Sequence, residues 1–484
     1  MLSRSSVRYA RPMGGLVVAL VLSAVGAAQE LEISVSPSPV GSGARAAGMA
    51  DAFVAIADDA TAASWNPAGL VQLERPELSL VGSYTALADE LDSTMHEEVK
   101  SSHFSGSLDL NYLSFVYPLP MMFLGRNAVV SLNYQRKYDF TRKFRLSLNT
   151  SSVASNGVVN NSLQIVNFEQ TGGLSTLTPA FAVEITPRLS VGAAFNLWRS
   201  SPLSENSWEQ ESDFSAVSLI GETVYWRNVH RTRKYDDFSA ENATLGLLWN
   251  PTSEWSFGIR YDTGFTGEAG FKGVDLRTRV TLPSFEFPFA SSRRSVLSVT
   301  PAIQDERREI TFPDSAAVGV AWRPTDRLTL SLDVTRTDWN DFYVKDAEGV
   351  RHSLVDFSNL DDPFQRSHFK PCYTVRLGTE YVFIPKTPHE KLSRLWTLRG
   401  GLFYDPEPAA GKSDNADDRG SGAPDSFYGA AVGVGLQLHQ RVNLDLAYQC
   451  RYGHDVNKDF IRGIKGFSED VLQHRVLLST VIYF

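Results

Sequence analysis

The chain has 484 residues and sets 46 Lys and Arg against 55 Asp and Glu, a net charge of −9, with 43% hydrophobic residues. No dense basic run occurs, which excludes nucleic acid as an expected partner, and beyond the N-terminal region no apolar run approaches the ~20 residues of a membrane helix. Such averages do not exclude a membrane β-barrel, whose lipid-facing residues alternate with a polar lumen.

Arg4, Arg8 and Arg11 precede an apolar run from Gly14 to Ala24, followed by the small residues Val25-Gly26-Ala27-Ala28. This order predicts a signal peptide over 1–28, cleaved after Ala28, with a run too short to span a bilayer. No Cys follows the site, so a lipoprotein anchor is not expected.

Residues 29–75 show no alternation. Gly41, Gly43, Gly48 and the alanines between Ala44 and Ala57 make them small, while Phe53, Val54 and Ile56 make them apolar. Trp65-Asn66-Pro67-Ala68-Gly69-Leu70 closes the stretch with a turn signal. It is too apolar for a disordered leader and reads as a plug in the lumen of whatever follows. A periplasmic arm against the rim is the alternative.

From 76 to 484 the dominant signal is period-two alternation. Trp255, Phe257, Ile259 and Tyr261 alternate with Ser256, Gly258, Arg260 and Asp262; Leu328, Leu330, Leu332 and Val334 alternate with Thr329, Ser331, Asp333 and Thr335. Segments of this kind number about fourteen, an even count as bacterial barrels have. Connections after even strands are short, such as Thr186-Pro187-Arg188 and Leu438-His439-Gln440-Arg441. Those after odd strands are long: 87–106, 141–171, 200–239, 265–310, 340–371, 406–425 and 452–472. The expected architecture is all-β: a transmembrane antiparallel barrel in a bacterial outer membrane, with long loops outside and both termini periplasmic. With 35 Gly, 28 Phe, 17 Tyr and 9 Trp, the chain has the hairpin glycines and girdle aromatics such a barrel needs. The last strand, Gln473 to Phe484, ends on an aromatic and resembles the sorting signal read by the barrel-assembly machinery.

Little points to catalysis. No zinc pattern is present, and the glycines from Gly429 to Gly435 lack the Lys and helix of a phosphate loop; on a strand they suit close approach of a plug or ligand. Asp58-Asp59 beside Asp51 reads as a capping turn more readily than as a cation site. No enzyme, metal or cofactor is expected. Cys372 and Cys450 fall three strand positions apart, roughly 14 Å, beyond the ~7 Å a disulfide allows, so free thiols are expected.

Gly43-Ala44-Arg45-Ala46-Ala47-Gly48, Ala57-Asp58-Asp59-Ala60 and Trp65-Asn66-Pro67-Ala68-Gly69-Leu70 together resemble the hatch of the FadL family, outer-membrane transporters of long-chain fatty acids and other hydrophobic compounds. Trp255–Tyr261, Phe312–Val320 and Arg399–Pro406 resemble later strands of the family, in the same order. The resemblance implies a fourteen-stranded barrel with an N-terminal hatch and passive uptake of a hydrophobic ligand, embedded among outer-membrane lipids. Under that reading Asn66, Pro67, Ala68 and Gly69 form the gate. Phe53, Val54, Ile56 and Leu70 supply an apolar pocket, and Arg260, Arg376 and Arg399 are candidates for a fatty-acid carboxylate, because Arg pairs with carboxylates bidentately. A diffusion porin is disfavoured by residues 29–75. A binding or scaffold component of an outer-membrane or secretion assembly, on the same barrel, is the second reading.

Overall fold

The structure, a computed structural model, describes residues 38–119, 126–154, 156–203, 205–221, 223–282, 296–352, 369–385, 393–409, 422–458 and 466–484. The expected signal peptide, 1–28, and residues 29–37 of the expected plug lie outside them.

Among the described residues, fourteen antiparallel strands close into a barrel. In chain order they are β1 Glu77–Ser93, β2 Ser101–Pro118, β3 Ala128–Asp139, β4 Val159–Thr186, β5 Leu189–Trp198, β6 Thr223–Trp249 and β7 Trp255–Asp262. The second half is β8 Ser315–Thr325, β9 Leu328–Thr337, β10 Cys372–Phe383, β11 Arg394–Tyr404, β12 Phe427–Leu438, β13 Val442–Val456 and β14 Phe467–Tyr483. Closure is made by β14 on β1, in register from Glu77 opposite Tyr483 to Ser93 opposite Phe467. A closed barrel leaves no unpaired edge, which is what a strand structure in lipid requires.

The outward face matches the apolar half of the alternation. Trp255, Phe257, Ile259 and Tyr261 are 37–50% exposed, while Ser256 and Gly258 between them are buried. Near the short-turn end Trp255 stacks on Trp322 at 5.7 Å and Trp249 meets Phe257 at 5.5 Å, part of an aromatic girdle. The β12–β13 turn is tight: His439 and Gln440 both hold positive φ, 50° and 58°, and Arg441 N–H donates to the Leu438 carbonyl at 2.9 Å. Two successive left-handed residues are the signature of a two-residue hairpin whose twist matches its strands. Cys372 and Cys450 are both free.

The long connections correct the sequence reading. Segments 141–171, 200–239 and 265–310, expected as loops, are largely strand. Arg142–Val153, Ser207–Ile220, Phe265–Leu282 and Val296–Phe312 join the far halves of β4 and β6 in a distal sheet that extends the barrel wall. The pattern was missed because these strands stand clear of the bilayer. Neither face there has to be uniformly apolar, so alternation is weak even where β-branched and aromatic residues are dense.

The wall is not uniformly sealed. Backbone pairing between β2 and β3 runs only from Tyr112 opposite Gln135 to Pro118 opposite Val129. Beyond Tyr112 the two strands are joined by side chains, Arg136 to Asp109 at 3.3 Å and Ser107 Oγ to Asp139 at 2.9 Å.

Candidate functional site

Residues 40–73 run inside the barrel and are almost wholly buried. They form two short helices, α1 Ala44–Gly48 and α2 Ala62–Trp65, and a 3-10 turn, Pro67–Gln72. Elements this short have too few internal hydrogen bonds to persist alone, so the wall holds them. Met49, Phe53, Ile56, Trp65, Leu70 and Leu73 pack with Ala182, Ala194 and Ala321 of the wall in one apolar cluster. Each large apolar side chain so buried contributes about 1.5–3 kcal/mol relative to exposure.

The polar attachments are specific. Ala44 N–H donates to Ser479 Oγ at 2.7 Å, Val54 N–H to Asp333 Oδ2 at 2.8 Å, and Gln449 Nε2 donates to the Ala47 carbonyl at 3.0 Å. Tyr112 Oη and Ser114 Oγ both donate to the Ala60 carbonyl at 3.1 Å. Arg45 grips Glu380 with two hydrogen bonds, 2.9 and 3.0 Å, and reaches Asp58 at 2.5 Å. The Asp58-Asp59 pair serves structure: Asp59 Oδ1 accepts from Thr61 N–H at 2.8 Å, as a turn cap does. Burial raises the Asp59 carboxyl above its ordinary value, against the pull of Arg45.

A row of wall glycines makes this seating possible. They stand in cross-strand pairs, Gly192 with Gly246, Gly258 with Gly319 and Gly378 with Gly401. At Gly258 a Cβ would run into the Val54 carbonyl, and at Gly192 into the Pro67 backbone. Backbone against backbone leaves no room for a side chain, which is why these lumen-facing positions are glycine. The Gly429–Gly435 stretch contributes Gly433, which meets Gly48 in the same way.

Asn66 is the most connected of the gate residues. Its Oδ1 accepts from Ala68 N–H at 3.1 Å, and its Nδ2 donates to the Val54 carbonyl at 2.9 Å and to the Leu247 carbonyl of β6 at 3.0 Å. Pro67 stands at the first position of the 3-10 turn, Ser190 Oγ donates to the Ala68 carbonyl at 3.0 Å, and Gly69 lies against the Ala57 carbonyl. Asn66→Ala leaves the buried Val54 carbonyl without this donor, at about 1–3 kcal/mol, and removes the tie to the part-buried Leu247 carbonyl of the wall. The expected result is a folded, heat-modifiable barrel with raised single-channel conductance; wild-type conductance would show that this turn does not hold the segment shut.

On the distal-sheet side of residues 40–73 lies a cavity of about 210 Å³, which shares Val40, Arg451, Gln473 and Arg475 with an adjoining one of about 90 Å³. Trp65, Tyr138, Trp198 and Phe265 line one part of the larger cavity; Lys137, Arg260, Arg376, Arg451 and Arg475 line another. Three of the cations are paired. Arg260 holds Asp262 at 2.9 Å, Arg376 meets Asp405 at 3.4 Å, and Arg451 meets Asp405 at 3.4 Å and Glu407 at 2.7 Å. Among the described residues, the side chains of Lys137 and Arg475 make no hydrogen bond or salt bridge.

Of the residues picked from sequence, the structure brings Arg260 and Arg376 to this cavity. It does not bring Arg399, which donates to Glu380 at 2.6 Å and to Asp445 at 2.6 Å and is buried beneath the segment. Phe53, Val54, Ile56 and Leu70 are also absent from the lining. Phe53, Ile56 and Leu70 are consumed in the apolar cluster, and Val54 lies against Gly258 and Gly319. Lys137, Arg451 and Arg475 were missed. The available signal was their place on the lumen-facing half of β3, β13 and β14.

A model of the family described as outer membrane protein transport protein (OMPP1/FadL/TodX) matches residues 39–466. A long-chain fatty acid transport protein of Escherichia coli is 19% identical over 419 residues, covering 83% of each chain. Among solved structures, a Pseudomonas aeruginosa FadL homologue superposes with a TM-score of 0.55 at 14% identity, covering 93% of this chain and 100% of that one. The Pseudomonas putida toluene transporter TodX does so with a TM-score of 0.51, also at 14% identity and with the same coverage. At such identities the structural likeness speaks for the fold alone. A family match over most of the chain, on a closed fourteen-stranded barrel with an apolar outer face, shows that this protein belongs to the OMPP1/FadL/TodX family and is an outer-membrane channel for hydrophobic compounds.

Proposed function

We propose that the channel takes up amphipathic molecules with an anionic head group, long-chain fatty acids above all, by passive movement gated by residues 40–73 acting as a plug. In this reading the short-turn end and both termini face the periplasm and the distal sheet faces outward. The outer belt sits among outer-membrane lipids, and the final strand, with Phe484 67% exposed, engages the assembly machinery. The observation that carries the reading is the pair Lys137 and Arg475, two cavity cations without a salt-bridge partner among the described residues. Unpaired cations in a partly desolvated wall are costly unless the ligand supplies the anion. A purely hydrocarbon ligand would not offset that cost. Arg260 and Arg376, each held by one acid, flank the same space, and the aromatic side suits the start of an alkyl chain.

The cavity is small against the ~300–1,000 Å³ of ordinary ligand pockets. It suits a head group and the first methylenes, so passage of a full chain requires residues 40–73 to shift. The stretch of wall where β2 and β3 do not pair directly, and where Ser38–Pro39 and Val40 pair with the edge of β3 instead, is the natural seam for release to the bilayer once that segment shifts. Charge removal by Lys137→Gln with Arg475→Gln should lower apparent affinity for labelled palmitate in uptake assays by about tenfold or more, with toluene uptake unchanged. Equal loss for both ligands would remove the head-group role. Absence of uptake by the wild type would favour the scaffold reading.

A further inference from the structure

Of residues 40–73, Asp51 is the one with a charged side chain that lines the cavity. It is 8% exposed. Its Oδ2 accepts from Gln449 Nε2 at 3.1 Å, while its Oδ1 has no hydrogen-bond partner among the described residues. Gly41 lies so close that a Cβ there would stand 2.8 Å from this Oδ1. A buried carboxylate oxygen without a donor is unfavourable, so the acid is seated at a cost.

The backbone beneath it is unfavourable too. Ala50 and Asp51 are successive left-handed residues, with φ of 56° and 61°. A Cβ disfavours this region, for Ala more than for Asp. The pair joins two firm attachments: α1, held through Arg45 to Glu380, and Val54, held by Asp333. Between them the Asp51 side chain is tied to the wall by Gln449.

The wall links this acid to the head-group cations. Gln449 pairs directly with Arg475 across β13 and β14, and Arg475 lines the same cavity as Asp51. Asp51 is the acid that acts most strongly on the Arg475 guanidinium, ahead of Asp405, without closing a salt bridge to it. An anionic head group at Arg475 brings a second carboxylate to a cation that already faces one. In a partly desolvated cavity like charges repel more strongly than in water. Arg475 belongs to a strand paired on both sides, so Asp51 is the partner that can move.

We propose that Asp51 is the charge-sensing residue of the gate, which makes release of residues 40–73 depend on an anionic head group and not on mere filling of the cavity. The inference rests on the cavity being the head-group site. Repulsion drives Asp51 off Gln449, its unpartnered oxygen gains water, and the left-handed pair relaxes. The local costs of the closed state thus assist opening, as strain held at a switch does. A neutral ligand of the same length occupies the space without that push. Asp51 acts as a positioning residue: it opposes binding to the closed state and favours the open one.

The test compares wild type with Asp51→Asn, as full chains in lipid nanodiscs, using octanoate and octanol as probes. Asn keeps the shape and tolerates left-handed backbone, so the charge alone changes. Calorimetry gives affinity, and hydrogen exchange follows the amides of residues 49–54. In wild type, octanoate should quicken that exchange about tenfold and octanol should not, because a ligand shifts an equilibrium only through differential affinity. In Asp51→Asn, octanoate should bind about three- to tenfold tighter with the like charge gone, yet leave exchange unchanged; octanol should bind both forms alike. A purely structural Asp51 would alter exchange without ligand and keep the response to octanoate, which would overturn the proposal. Arg475→Gln identifies which reading fails. If it weakens octanoate binding while Asp51→Asn matches wild type in both readouts, the sensor alone is lost. If octanoate binds Arg475→Gln as it binds wild type, the head group does not sit at Arg475, and the cavity reading and the sensor fall together.

Discussion

Gly258→Leu should unseat residues 40–73 and leave the barrel standing. A Cβ at this position meets the Val54 carbonyl and the Ala55 backbone, and Gly319 directly opposite offers no slack, since its own Cβ position is also taken by Ala55 and Val54. Neither contact is the end of a flexible side chain, so relief requires moving the segment. Overpacking of this kind costs about 1–3 kcal/mol at the least. The strand itself has little reason to fail, because its pairing to β6 and β8 uses backbone groups and its outer residues Phe257 and Ile259 are untouched. Planar-bilayer recordings should show conductance raised severalfold while heat-modifiable mobility on gels is retained. Wild-type conductance in a variant of normal mobility would mean that the segment does not close the lumen.

Glu380→Ala should have the other large effect. The carboxylate accepts two hydrogen bonds from Arg45 and one, at 2.6 Å, from Arg399, which is itself 3% exposed at the side chain. Asp445 holds the far side of Arg399 at 2.6 Å but does not reach Arg45. Removing one member of a buried ionic group leaves uncompensated charge, at about 3–5 kcal/mol. Most of that loss falls on the attachment of α1, since the barrel strands keep their backbone ladders. Hydrogen exchange of residues 44–58 should quicken by about a hundredfold or more, with strand amides little changed. Glu380→Gln, which preserves shape and one acceptor, should fall between the two. Wild-type protection in Glu380→Ala would mean that the apolar cluster alone holds the segment.

The barrel was legible in the sequence because lipid imposes a local rule. A strand in a bilayer shows hydrocarbon-compatible side chains at every second position whatever its neighbours are, so Trp255, Phe257, Ile259 and Tyr261 announce their face without any tertiary information. The alternation of short and long connections carried the up-and-down order, and the hatch motif around Asn66-Pro67 carried the family. Outside the bilayer that rule lapses. The distal sheet alternates charge with Thr, Ser and aromatic residues on faces that all meet water or one another, so residues 200–239 and 265–310 read as loops and fold as strands.

The site shows the same division. Sequence placed Arg260, Arg376 and Arg399 on lumen-facing positions, and all three are there. Whether a lumen cation is available to a ligand depends on which acids arrive beside it from other strands and from the N-terminal segment, a matter of three-dimensional register. Arg399 meets Glu380 of the adjacent strand and Asp445 from two strands away and is fully used, whereas Arg475 meets no such partner among the described residues. The glycine row follows the same logic. Each glycine is visible in the chain, but only the closed barrel brings Gly192, Gly258 and Gly401 against the N-terminal segment, because the approach of a second backbone, and not any local turn, is what excludes their side chains.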